Sequence, residues 1–127
     1  MKKLLLFVFA SLLVSCTMCK IAKTTSITEI RFGSGGGFTG VVTTYKLKSD
    51  GMLYNGDKQI KKLSCDSLSA IYEKAENISM PDYIHPDNMY NFVRIISTQG
   101  TQYHTWSFGN QPDKQIIDLY FQLNRQL

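Results

Sequence analysis

No apolar run in this 127-residue chain is long enough to cross a bilayer as a helix. The longest, residues 4–14, is interrupted only by the small Ala10 and Ser11. At 1.5 Å per residue it would span about 16 Å, against a hydrocarbon core of about 30 Å. Histidine (two residues), cysteine (three) and proline (three) are all scarce. So sparse a set of ligating side chains gives no sign of a metal or other cofactor. There is no Gly-x-Ser-x-Gly elbow and no credible Cys–His arrangement, so the usual nucleophilic machinery is missing and the chain reads as a non-enzyme. Charge of one sign is not in strong excess either. The 14 basic and 10 acidic side chains give a net charge of +4. Lys46, Lys48 and the Lys61-Lys62 pair are read as solvated strand faces, and no nucleic-acid partner is expected.

What is present begins at the amino terminus. Lys2 and Lys3 precede the apolar run, and Leu13-Val14-Ser15-Cys16 closes it. A positive start, a short apolar centre and small residues at the cut are the layout of a secretory signal peptide. A cysteine directly after Leu-Val-Ser resembles the lipobox of bacterial lipoproteins. That resemblance implies a signal peptide over residues 1–15 and acylation of Cys16, which becomes the first residue of the mature chain. The family adds a diacylglyceryl group and often a third, palmitate-type chain, and two or more chains suffice for stable anchoring in a lipid bilayer. Without Lys2 and Lys3, twelve basic side chains face ten acidic ones, a net of +2. With Cys16 assigned to the anchor, Cys19, Cys65, His85 and His104 show no metal-ligand spacing. An exported location permits a Cys19–Cys65 disulfide. Two free thiols are favoured, because pairing geometry is demanding and Cys19 falls within the expected tether.

Residues 16–26 are small, polar and weakly basic, and are expected to be a short tether. Residues 27–127 suffice for a single domain with one core. Alternating apolar and polar positions predict strands over 27–32, 41–47, 52–54 and 59–63. Ser49-Asp50-Gly51 and Asn55-Gly56-Asp57 supply turns between them. Leu68, Ile71, Tyr72, Ala75 and Ile78 recur at helical spacing, so a helix is predicted over 65–77 with Ser64 as its N-cap. The Pro- and Asp-containing stretch 79–88 is expected to be a loop, and 89–98 and 101–108 a hairpin turned at Gln99-Gly100. Pro112 suits a first helical position. A closing helix carries Ile116, Leu119, Tyr120, Leu123 and Leu127 on one stripe. These elements predict an α+β fold, a small antiparallel sheet of four to five strands with two helices packed on one face.

Three segments could carry chemistry. Five of the eight residues from Gly33 to Gly40 are glycine. No Lys-Ser/Thr pair and no following helix makes them a phosphate loop. Glycines between strands usually serve backbone geometry, which predicts that Phe38 folds back onto the core. The alternative is an exposed loop, Gly35, Gly36, Gly37, Phe38, Thr39 and Gly40, that presents Phe38 to a partner. Asp82, His85 and Asp87 could in principle act as acid and base, but proline-flanked aspartates are ordinary turn formers. The aromatics Tyr90, Phe92, Tyr103, Trp106 and Phe108 are expected in the core, and His104 as a half-exposed strand residue.

The order of landmarks resembles two groups. Ser34-Gly35-Gly36-Gly37-Phe38-Thr39-Gly40, a strand with Tyr45, a helix, the Pro-Asp loop, Asp87-Asn88-Met89-Tyr90-Asn91-Phe92, a hairpin and a last helix carry it. One group is the small lipoproteins of Bacteroidetes-type bacteria. The other is the emfourin family of protein inhibitors of thermolysin-type metallopeptidases, which similarly lead from a strand into Ser-Gly-Gly-Phe-Ala-Gly. This chain differs in Thr39, in one extra glycine and in its lipid anchor. The resemblance implies a membrane-anchored, non-catalytic binding module of the cell envelope that acts through the glycine-rich loop on a metallopeptidase. An envelope structural or assembly lipoprotein, bound to another envelope protein, is the alternative. Surface export in the first group is associated with acids just after the lipidated cysteine, and Thr17-Met18-Cys19-Lys20 has none. That implies a periplasm-facing anchor in the outer membrane, with the cell surface as the alternative.

Overall fold

The structure is a computed structural model that describes Cys19 and residues 25–127. The expected signal peptide, Cys16 as the expected acylation site and most of the expected tether lie outside the described residues. Seven strands form one sheet: β1 (Ile27–Gly36), β2 (Thr43–Lys48), β3 (Met52–Asn55), β4 (Lys58–Lys62), β5 (Tyr83–His85), β6 (Met89–Ser97) and β7 (Gly100–Trp106). Helix α1 (Cys65–Glu76) follows β4, and α2 (Lys114–Asn124) closes the chain. The spatial order is β4-β3-β2-β1-β6-β7-β5.

This corrects the expected architecture of four to five antiparallel strands with two helices packed on one face. The chain is mostly sheet, and the sheet is mixed. Residues 83–85, expected within a loop, pair in parallel with β7, Tyr83 opposite His104 and His85 opposite Trp106. Nor do the glycines interrupt β1, which continues through Gly36 opposite Met89 of β6. Ladder pairing supplies partners for the backbone of both segments, and that satisfaction outweighs their weak local strand propensity.

Strand alternation divides the sheet into two surfaces. Ile30, Phe32, Leu47, Leu53, Val93, Ile95 and Trp106 point one way and join Leu68, Ile71, Tyr72 and Ala75 of α1 and Ile116, Leu119 and Leu123 of α2 in a single core. The capping chemistry of both helices is local. Ser64 Oγ accepts from the Ser67 amide at 3.3 Å, with Asp66 in the first turn. Asp113 Oδ1 accepts from the Gln115 amide at 2.9 Å, so Pro112 lies just before the cap and not inside the helix. Leu127 lies beyond α2 and is half exposed.

Cys19 and Cys65 form a disulfide, with Cα atoms 5.5 Å apart. The favoured pair of free thiols is therefore corrected. The β1-to-β4 meander returns the first residue of α1 beside a position 46 residues earlier in the chain, within the usual bridging distance.

Candidate functional site

The glycine-rich segment consists of a strand end and a turn. Gly33, Ser34, Gly35 and Gly36 are the last residues of β1, paired with β6, and residues 37–42 connect β1 to β2. Gly36 has φ of 89°, and a Cβ there would lie 1.8 Å from the Asn88 carbonyl oxygen, so no other residue fits. The Gly37 amide donates to that same carbonyl at 2.7 Å. The turn is closed by the Gly40 amide donating to Gly37 O at 3.2 Å, with Gly40 at φ of 62°. Thr39 is exposed, its Oγ1 3.5 Å from the Val41 amide.

Phe38 stands at the tip of this turn and is 108% exposed. The expectation that it folds back onto the core is corrected. The chain leaves one ladder and re-enters the next within six residues, and the ring has no core within reach. Val41, Val42 and Met89 are exposed nearby, and Phe108 is 82% exposed. Phe108 was expected in the core. Its position in the turn two residues past the end of β7, followed by Gly109 and Asn110, is the sequence signal that could have placed it outside.

A cleft of about 240 Å³ opens at the foot of the turn, between Gly35, Gly36, Val41, Met89 and Phe108. Ser34, Thr43, Tyr90, Asn91 and Ser107 supply its polar walls. Ser107 Oγ is buried without a hydrogen-bond partner, while Asn91 Oδ1 accepts from the Tyr120 hydroxyl at 3.1 Å. Ligand pockets usually run to about 300–1,000 Å³, so this cleft suits one side chain better than a metabolite.

The acid–base candidates do not converge. Asp82 Oδ1 accepts from the Tyr103 amide at 2.9 Å, Asp87 Oδ1 caps the Asn88 amide at 2.8 Å, and His85 is exposed beside Tyr83. His104 is wholly buried, which corrects its expected half-exposure. It shares a face with Trp106 two residues on, and that parity could have placed it. Burial pushes its imidazole below the ordinary value, with Asp82 opposing. Of the other aromatics expected in the core, Trp106 joins it and Phe92 is buried outside it, but the expectation is corrected for Tyr103, which is exposed, and for Tyr90, which is half-buried at the cleft. Among the described residues, no group of three or more His, Cys, Asp or Glu side chains is placed to hold a metal ion.

No protein-family model matches the chain, and no curated protein matches it at a significant level.

Proposed function

We propose that the protein is a non-catalytic binding module, anchored through acylated Cys16 to the outer membrane and facing the periplasm, that inserts its Phe38 turn into the cleft of a partner. The partner class is a thermolysin-type metallopeptidase, and the action is emfourin-like inhibition. The observation that carries this reading is the full exposure of Phe38 on a turn whose base is fixed by β1–β6 pairing. Burying a phenylalanine side chain is worth about 1.5–3 kcal/mol, and this fold leaves that energy unused until a partner arrives. Aromatic anchors of this kind dominate interface energetics. The cleft beside the turn can take one side chain of the partner in return.

The disulfide bears on the anchor. Only Thr17 and Met18 separate Cys16 from Cys19, and three extended residue steps reach about 10 Å. An acylated Cys16 therefore holds the start of α1 close to the bilayer.

The test is a titration of the full chain carrying Cys16→Ser against several thermolysin-type peptidases. Inhibition at micromolar concentration or below, abolished by Phe38→Ala, is expected. No inhibition of any of them rules out the inhibitor. Crosslinking of the anchored protein to a non-peptidase envelope protein, retained after Phe38→Ala, favours the assembly role instead. Mass spectrometry of the mature amino terminus checks the acyl group on Cys16.

A further inference from the structure

The surface of the sheet opposite the main core carries a row of charge that the loop and the anchor do not use. Lys46 of β2 lies directly across from Arg31 of β1, and Arg31 directly across from Arg94 of β6. Neighbouring strands are about 4.8 Å apart, so three cations line up within roughly 10 Å. Tyr54 of β3 pairs with Lys46 at one end of the row, and Tyr103 of β7 pairs with Arg94 at the other.

Like charges directly opposite each other on neighbouring strands are destabilising. Internal carboxylates relieve this only in part. Glu29 binds Arg31. Asp57 approaches Lys46 at 3.5 Å but is fully exposed, where an ion pair contributes little. Arg94 has no carboxylate partner among the described residues. Its guanidinium sits 5.1 Å from the Phe92 ring centroid and 5.7 Å from that of Tyr103, and its Nε is buried without a hydrogen-bond partner. The rings hold the guanidinium in place, and no carboxylate among the described residues neutralises it.

We propose that this row binds an anionic polysaccharide. Carboxylate, sulfate or phosphate groups of the polymer accept from Arg31, Arg94 and Lys46, where the planar arginine fork matches such oxyanions in two-point contacts. The apolar face of a sugar ring lies against the exposed Tyr103, while at the other end Lys48, 5.1 Å from the Tyr54 ring centroid, adds a further cation. A linear polymer fits a row that crosses five strands. A bilayer fits it poorly, because the row holds no exposed aliphatic side chain to enter the acyl region. The inference stands apart from the proposed inhibition and from the anchor.

The experiment measures binding of the full-length protein in detergent to alginate and heparin, with neutral dextran and with phosphatidylglycerol vesicles as separate arms. Two variants that remove equal charge are compared. One is Arg31→Gln, Lys46→Gln, Arg94→Gln in the row. The other is Lys58→Gln, Lys61→Gln, Lys62→Gln on the edge strand β4. The row variant is expected to lose at least about tenfold in affinity for the anionic glycans, and the edge variant to stay within about threefold. Arg94→Lys keeps the charge but not the fork, and should also weaken binding. Equal losses in the two triple variants, binding to vesicles without binding to glycans, or equal binding to dextran would each overturn the proposal. Circular dichroism of every variant separates lost binding from lost fold, and Arg94→Lys provides the milder test should the triple row variant unfold.

Discussion

The amide of Gly37 donates to the carbonyl of Asn88 at 2.7 Å, one residue past the last paired position of β1, Gly36 opposite Met89. This bond marks where the sheet ends and the turn begins. Everything below it is held by ladder pairing, and Phe38, one residue above, touches solvent on all sides. Rigidity of the base and exposure of the tip are thus properties of adjacent residues, and substitutions can separate them.

Phe38→Ala should leave stability within about 0.5 kcal/mol of the parent, because no burial is lost. Gly36→Ala should cost about 2 kcal/mol or more, since its Cβ would meet the Asn88 carbonyl at 1.8 Å and its φ of 89° strains any side-chain-bearing residue. Urea unfolding of the two variants checks both. A loss near 3–5 kcal/mol for Phe38→Ala, the range of a buried phenylalanine, would place the ring in a core.

The disulfide makes its own prediction. It closes a segment of 46 residues that includes the first four strands, and cross-links of this span stabilise by about 2–4 kcal/mol, largely through the unfolded state. Cys65→Ser, or addition of a reductant, should lower the urea midpoint by a corresponding amount. Reductant should then have no further effect on the Cys65→Ser protein. An unchanged midpoint would mean that the two thiols are not joined.

Within the core, the Tyr72 hydroxyl donates to the Leu47 carbonyl at 3.1 Å, tying α1 to β2. Burial pushes the phenol well above its ordinary value, so it remains a donor throughout the accessible pH range. Tyr72→Phe keeps the ring and removes this bond, and should cost about 1 kcal/mol in the same unfolding experiment. No measurable cost would show that the hydroxyl is equally well satisfied without Leu47.

How much of this was legible in the sequence depended on whether the deciding interaction was local. Ser64 and the stripe Leu68, Ile71, Tyr72 and Ala75 defined α1 because capping and helical periodicity act within a few residues. The Ser49-Asp50-Gly51 turn was equally legible: Gly51 has φ of 89°, and Asp50 Oδ1 accepts from the Met52 amide at 2.9 Å. Strand β5 was not. Its three residues lie between prolines, and its partner is β7, some twenty residues away, so local composition suggested only a loop. Phe38 was misplaced for a related reason. Residue type favours burial, but whether a ring can reach a core depends on how closely two ladders flank its turn. The Lys46–Arg31–Arg94 row needs strand register to be visible, and alternation alone showed only solvated charges.

His104 gives the pH dependence. The ring is wholly buried, and burial lowers its pKa from the ordinary 6.5, against a smaller opposing effect of Asp82. Well above pH 6.5 the ring is neutral in both folded and unfolded chains and contributes no slope. As pH falls below that value, the unfolded chain takes up a proton that the folded core disfavours, so stability declines until the folded ring also titrates. The slope from this one group can reach about 1.4 kcal/mol per pH unit. His104→Gln removes it while leaving Asp82 and the other carboxylates to titrate as before. Urea unfolding at pH 7, 6 and 5 should therefore show a steeper loss of stability in the parent than in His104→Gln. Identical slopes would mean that the imidazole is protonated as readily inside the fold as outside it.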